Sequence, residues 1–135
     1  MQGKKILIVD DEQLVARSMQ KTLARAGYTV QVAYSCTEGL QVFEAAQAAA
    51  PFDLALLDLN MPGFSGQPEN GAGLELLSRL KALNPGLPVV VLTAYDEVNK
   101  AREAVLRGAQ AFFVKGREQA LVDQVRTLLQ GDASR

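Results

Sequence analysis

A short apolar run that ends in acidic residues decides the fold prediction: Ile6-Leu7-Ile8-Val9-Asp10-Asp11-Glu12. Three other apolar runs also end at a polar residue: Leu54-Ala55-Leu56-Leu57 before Asp58, Val89-Val90-Val91-Leu92 before Thr93, and Ala111-Phe112-Phe113-Val114 before Lys115. Short runs without alternation are typical of strands covered on both faces of a parallel sheet. A fifth run alternates and therefore indicates an edge strand: Thr29-Val30-Gln31-Val32-Ala33.

Segments with the periodicity of amphipathic helices separate these strands. The predicted helices span residues 13–26, 36–49, 73–83, 97–107 and 117–130. In the fourth helix the apolar stripe is Val98, Ala101 and Val105. Strict alternation of strand and helix predicts an α/β fold, with a doubly wound five-stranded parallel sheet and five helices. Placing the second strand at an edge gives the strand order 2-1-3-4-5.

Length and composition exclude several classes of protein. The chain has 135 residues, which indicates one domain; we assign residues 1–130 to it and residues 131–135 to a tail or the start of a linker. A net charge of −1 argues against a nucleic-acid surface. The absence of His and the single Cys exclude Ser–His triads, His-ligated metals and internal disulfides. No apolar stretch approaches the length of about 18 residues that spans a membrane, and we expect a cytoplasmic protein.

The residues that follow the strands carry the candidate chemistry. In open parallel sheets, ligands bind beyond the carboxyl ends of the strands, where the strand order reverses. Asp10, Asp11 and Asp58 should meet there, together with Thr93 and Lys115. Taken singly, each has an ordinary explanation as a helix cap, a backbone-bonded hydroxyl or a surface charge. Together, three carboxylates need a cation, and Mg²⁺ with its oxygen ligands fits, which favours phosphoryl transfer.

The same residues resemble those of bacterial two-component response-regulator receiver domains. The matching stretches are residues 6–12, 56–63, 90–94 and 113–115, in family order. The resemblance implies the flavodoxin-like receiver fold and a phosphoacceptor at Asp58. It also implies that Asp10 and Asp11 hold Mg²⁺, together with Asp58 and the backbone carbonyl of Asn60.

The resemblance further implies a switch and its partners. Thr93 is expected as the switch hydroxyl, Lys115 as the cation that pairs with the phosphoryl group, and Phe112 as the switch aromatic. Tyr95 stands at a position that tunes the lifetime of the phosphoryl group. A histidine kinase or phosphotransfer protein would be the donor, and the chain itself would be no enzyme beyond self-catalysed phosphotransfer and autodephosphorylation. The face of the fourth helix, fifth strand and fifth helix would change; homodimerisation through it stays open.

Three features depart from the family pattern. Gly116 stands where relatives usually have a cis proline, so we expect a trans bond, or a cis bond held at a cost of about 2.5–4 kcal/mol. The loop over residues 64–73 is lengthened, and Phe112 lacks the hydroxyl that many relatives carry there.

Several alternatives remain open on sequence alone. A degenerate receiver would act only as an interaction module. A magnesium-dependent aspartyl phosphatase would need an Asp-x-Asp pair, and a flavin carrier would place a phosphate against repelling acidic residues. The chain is either a stand-alone regulator or part of a larger one, and the strand that begins soon after Met1 favours an N-terminal position in the latter.

Overall fold

Five strand–helix units follow one another along the chain, as the sequence predicts. The computed structural model describes residues 4–59, 61, 72–94 and 97–131. The strands are β1 (Lys5–Val9), β2 (Thr29–Ala33), β3 (Leu54–Asp58), β4 (Val89–Thr93) and β5 (Ala111–Val114). The helices are α1 (Gln13–Arg25), α2 (Cys36–Gln47), α3 (Ala72–Leu83), α4 (Val98–Leu106) and α5 (Glu118–Gly131).

The strands form one parallel sheet in the order β2-β1-β3-β4-β5, which confirms the predicted topology. The alternating strand β2 lies at one edge and β5 at the other. The inner strand β1 pairs with both β2 and β3, so that Val9 has Ala33 on one side and Leu57 on the other. The strand order therefore reverses at β1 and β3, where their carboxyl ends lie side by side.

Two apolar layers cover the sheet, one on each face. Alternate strand residues such as Leu7 and Leu57 pack with α2, α3 and α4, in the same cluster as Phe43 and Leu77. The intervening strand residues pack against α1 and α5. Burial on both faces explains the apolar runs of β1, β3 and β4, since each fully buried aliphatic side chain contributes about 1.5–3 kcal/mol.

The apolar stripe predicted for the fourth helix is partly wrong. Among the described side chains of α4, Ala101 and Ala104 are buried, while Val105 is 39% exposed. Ala101 and Ala104 belong to the apolar cluster on this face of the sheet, whereas Val105 does not. The neighbouring Leu106 is 87% exposed.

Helix ends follow the local signals of the sequence. At α2, the Ser35 hydroxyl accepts a hydrogen bond from the Glu38 amide at 3.1 Å, and the Glu38 carboxylate accepts one from the Tyr34 amide at 2.8 Å. This reciprocal pair of hydrogen bonds is close to a capping box. Gly27, which follows α1, has a φ of +105°, the left-handed conformation that ends many helices. No helix in the described part of the chain is long and apolar enough to cross a membrane.

Candidate functional site

The carboxyl ends of β1 and β3 place three carboxylates together, as predicted. Asp10 and Asp11 follow β1, and Asp58 is the last residue of β3. Each of the three offers one oxygen within 4.8 Å of the oxygens of the other two. Asp10 and Asp58 are buried and Asp11 is exposed, so the group has a deep side and a side open to solvent.

Lys115 bridges this acidic group from the end of β5. Its Nζ atom lies 2.9 Å from Oδ2 of Asp10 and 2.9 Å from Oδ2 of Asp58. It also donates a hydrogen bond to Oε1 of Glu12 at 2.5 Å. The Lys115 side chain is only 15% exposed, so these charges interact with less screening than a surface pair would.

The protonation of the site reflects its burial and crowding. Burial, followed by the nearby charge of Asp58, raises the pKa of Asp10 from 3.8 to about 7. The same two causes raise the pKa of Asp11. Burial alone would lower the pKa of Lys115, but the hydrogen bond to Glu12 and the charge of Asp58 outweigh it, and that pKa is raised. The ammonium therefore stays charged while Asp10 is reluctant to ionise without a further cation.

The donor set fits a hard divalent cation. The three carboxylate groups supply only oxygen, the ligand type that Mg²⁺ prefers. Oδ2 of Asp10 is buried, and the Lys115 ammonium lies 2.9 Å from it. One ammonium shared among three carboxylates does not balance their charge, and a bound cation would.

Thr93, at the end of β4, is fully buried beside this edge of the sheet. Its hydroxyl lies 3.2 Å from the carbonyl of Ala94 and 3.1 Å from that of Glu97, within hydrogen-bonding distance of both. In this conformation Thr93 therefore has the ordinary role of a strand-end threonine, in which the hydroxyl bonds to nearby backbone. Any turn of the hydroxyl toward Asp58 has to break these contacts.

Of the other candidate residues, the structure describes Phe112 but not Asn60 or Tyr95. Phe112 lies on the edge strand β5, half-buried, and packs against the cluster shared with α4. Asn60 and Tyr95 lie outside the described residues, as does most of the 64–73 loop, whose last two residues begin α3.

Gly116 does not displace Lys115 from the site. The described backbone contains no cis peptide bond, so the bond between Lys115 and Gly116 is trans, as the cost of a non-proline cis bond favours. Gly116 has a φ of +101°, and the Lys115 amide donates to the Thr93 carbonyl at 3.0 Å. A left-handed glycine turn after β5 thus accompanies a lysine that still reaches Asp58.

Sequence reasoning missed two residues of the site. Glu12 was quoted only as part of the acidic run, yet it binds Lys115, a residue 103 positions away. Gly73 is the second residue: a Cβ there would lie 2.7 Å from the Asp58 carbonyl oxygen and 2.7 Å from the Leu59 Cα. The unusual length of the acidic run and the glycine at a helix start were the available signals.

Fold and site together define an α/β protein with an acidic, lysine-containing site at the switch point of its sheet. The family profile "Response regulator receiver domain" matches residues 6–126, and the chain belongs to this family. It is thus a signalling domain of the two-component type and not a classical enzyme. Family membership removes the aspartyl phosphatase and flavin-carrier alternatives.

Relatives of the chain differ in length. It is 34% identical over 136 residues to the uncharacterized transcriptional regulatory protein YkoG of Bacillus subtilis, covering 100% of this chain and 55% of that protein. It is 30% identical over 126 residues to sporulation initiation phosphotransferase F of the same organism, covering 93% and 90%. The chain therefore spans about half of the former and nearly all of the latter.

Solved structures share the whole fold. A CheY-like receiver domain protein from Methanospirillum hungatei is similar with a TM-score of 0.80 and 28% identity, covering 98% of each chain. Response regulator TrrA from Thermotoga maritima, solved in complex with Mg²⁺ and BeF, has a TM-score of 0.76 and 27% identity, covering 93% of this chain and 98% of that one.

Proposed function

We propose that this chain accepts a phosphoryl group on Asp58 in a Mg²⁺-dependent reaction, with a histidine kinase or phosphotransfer protein as the donor. The observation that carries this proposal is the arrangement at the end of β3. Asp58 is 2% exposed, stands beside Asp10 and Asp11, and lies 2.9 Å from the Lys115 ammonium. A nucleophilic carboxylate among an oxygen-ligand set and a fixed cation suits an incoming phosphoryl group.

In the transfer, a carboxylate oxygen of Asp58 forms a bond to phosphorus. The bond between phosphorus and the donor atom breaks, and the donor atom keeps the electron pair. For a phosphohistidine donor this atom is a ring nitrogen, which none of these 135 residues supplies because they include no His. Lys115 stays near the equatorial oxygens and balances their charge.

Asp10, Asp11 and Asp58 would hold the cation, together with the backbone carbonyl of Asn60 by family resemblance. When bound, Mg²⁺ neutralises the carboxylates and the phosphoryl oxygens. The chain's own contribution is to hold the carboxylates in place: the Glu12 amide donates to Oδ1 of Asp10 at 2.9 Å and fixes that side chain. The complex of TrrA with Mg²⁺ and BeF supports this assignment by similarity.

We further propose that phosphorylation alters the face of α4, β5 and α5. The Thr93 hydroxyl would leave its backbone carbonyls for the phosphoryl group, and Phe112 would repack on β5 without a hydroxyl of its own. The exposed Val105 and Leu106 give this face an apolar character suited to a partner protein or a second copy.

The test is intact mass spectrometry after incubation with Mg²⁺ and a small acyl-phosphate donor. The wild-type chain should gain one phosphoryl group, and a chelator or Asp58→Asn should abolish the gain. Asp123→Asn is the matched control, because that carboxylate lies on α5 with a side chain 71% exposed. If the folded wild-type chain gains nothing from the acyl phosphate or from a panel of phosphorylated kinases, the chain is a degenerate receiver that acts as an interaction module.

A further inference from the structure

Glu12 directs its side chain away from the helix that it precedes. It occupies the N-cap position of α1, with φ −81° and ψ 94°, but its carboxylate makes no capping hydrogen bond. Glutamate is a poor N-cap compared with Ser, Thr, Asp or Asn. Its Oε1 instead lies 2.5 Å from Nζ of Lys115, with 59% of the Glu12 side chain exposed. The residue thus reaches the site from the solvent side.

Two of the three contacts made by Lys115 are with groups that the proposed chemistry uses. Asp10 and Asp58 belong to the carboxylate group suited to a cation, whereas Glu12 does not. A cation bound to that group, or a phosphoryl group on Asp58, would take up the charge that now attracts the ammonium. The contact with Glu12 is the one that such an event leaves in place.

The backbone around Lys115 does not fix the position of its ammonium, which therefore depends on these three contacts. The Lys115 amide is tied to the Thr93 carbonyl, but four methylene groups separate the backbone from Nζ. At Gly116 a Cβ would meet open space, so no packed side chain follows the lysine. A flexible side chain of this kind loses its position when its partners are neutralised.

We propose that Glu12 is a positioning residue for Lys115: its carboxylate keeps the ammonium at the mouth of the site once the charges of Asp10 and Asp58 are taken up. Its role in phosphoryl transfer rests on the function proposed above. The anchoring itself is a property of the folded chain and is testable without phosphorylation.

The experiment neutralises the inner carboxylates by substitution and observes Lys115 by NMR. In ¹³C-lysine-labelled Asp10→Asn/Asp58→Asn protein, the two Hε protons of Lys115 should remain inequivalent, because Glu12 still fixes the ammonium. Adding Glu12→Gln should merge the two signals, and Glu12→Asp should largely restore the separation. Glu75→Gln, which removes an exposed carboxylate paired with Arg79, is the matched control and should change nothing at Lys115. Equal spectra with and without Glu12→Gln would overturn the proposal.

A second measurement tests Glu12 in a chain that keeps Asp10 and Asp58, in case the combined variant does not fold. Single Glu12→Gln should slow phosphorylation by an acyl phosphate at saturating Mg²⁺ about three- to fivefold, as expected for a partly exposed charge pair. The same substitution in Lys115→Met protein should not slow the reaction further, because Met has no ammonium for Glu12 to position. An equal slowing in both backgrounds would overturn the proposal. A wild-type chain that takes no phosphoryl group would instead refute the proposed function, and the NMR comparison would still decide the role of Glu12.

Discussion

Replacing Asp10 by Asn should make the metal-free protein more stable at neutral and alkaline pH. Asp10 is fully buried and lies beside Asp58. Asparagine has nearly the same shape and can keep accepting the hydrogen bond from the Glu12 amide. The substitution removes a buried negative charge that the fold tolerates poorly.

The magnitude follows from linkage. The pKa of Asp10 is about 7 in the folded chain, against 3.8 for an ordinary Asp. The folded state therefore holds this proton more tightly than the unfolded state does, and the stability associated with it is lost as the pH rises from 3.8 through 7. At about 1.4 kcal/mol per pH unit, the loss above pH 7 is at most about 4 kcal/mol.

Lys115 reduces the expected gain. The NH₂ group of the asparagine would lie opposite the Lys115 ammonium, so that two hydrogen-bond donors would face each other. The ammonium would keep Asp58 and Glu12 as its partners. We therefore expect Asp10→Asn to raise the free energy of unfolding by about 1–4 kcal/mol at about pH 8. Between about pH 8 and about pH 5 this advantage should shrink by about 2–3 kcal/mol, because the wild-type Asp10 regains its proton.

Urea unfolding followed by far-UV circular dichroism measures this difference, with a chelator present and at both pH values. Asp123→Asn should show no such pH-dependent change. Added Mg²⁺ should stabilise the wild-type chain more than the variant, since the variant lacks one ligand. A variant that is no more stable than the wild type at about pH 8, or whose advantage is the same at about pH 5, would refute the reasoning.

Three further predictions concern other parts of the site. Gly73→Ala should lower the free energy of unfolding by about 1–3 kcal/mol in the same urea assay, because its Cβ would lie 2.7 Å from the Asp58 carbonyl oxygen at the end of β3. Gly86→Ala should be nearly neutral, because its Cβ would make only an ordinary contact of 3.8 Å with Oδ1 of Asn84, and equal effects of the two substitutions would contradict the close approach at Gly73. Thr93→Val should still gain a phosphoryl group by mass but lose the phosphorylation-dependent amide shifts in α4 and β5; unchanged shifts would exclude Thr93 as the switch. Tyr95→Glu should shorten the phosphorylated lifetime, measured as loss of mass over time, if the bulky ring shields the phosphoryl group from water; a longer lifetime in the variant would disprove shielding.

The fold was predictable because its signals are local. Short apolar runs, intervening helical periodicity and one alternating strand indicate the sheet and its order, and the polar residue after each run marks the functional edge. The Val105 prediction was wrong for a reason that periodicity cannot show. Ala104, which lies outside the predicted stripe, is buried together with Ala101, so the orientation of α4 follows its packing and not its most apolar stripe.

The sequence by itself determined that Asp10, Asp11, Asp58, Thr93 and Lys115 meet at one edge, because parallel strands bring their carboxyl ends to the same edge of the sheet. Only the tertiary structure decided which of these groups touch and which lie apart. Glu12 binds Lys115, and Gly73 lies close to the end of β3; both contacts depend on distances between segments far apart in the chain. So does the raised pKa of Asp10, since burial and neighbouring charge arise only when the chain is folded.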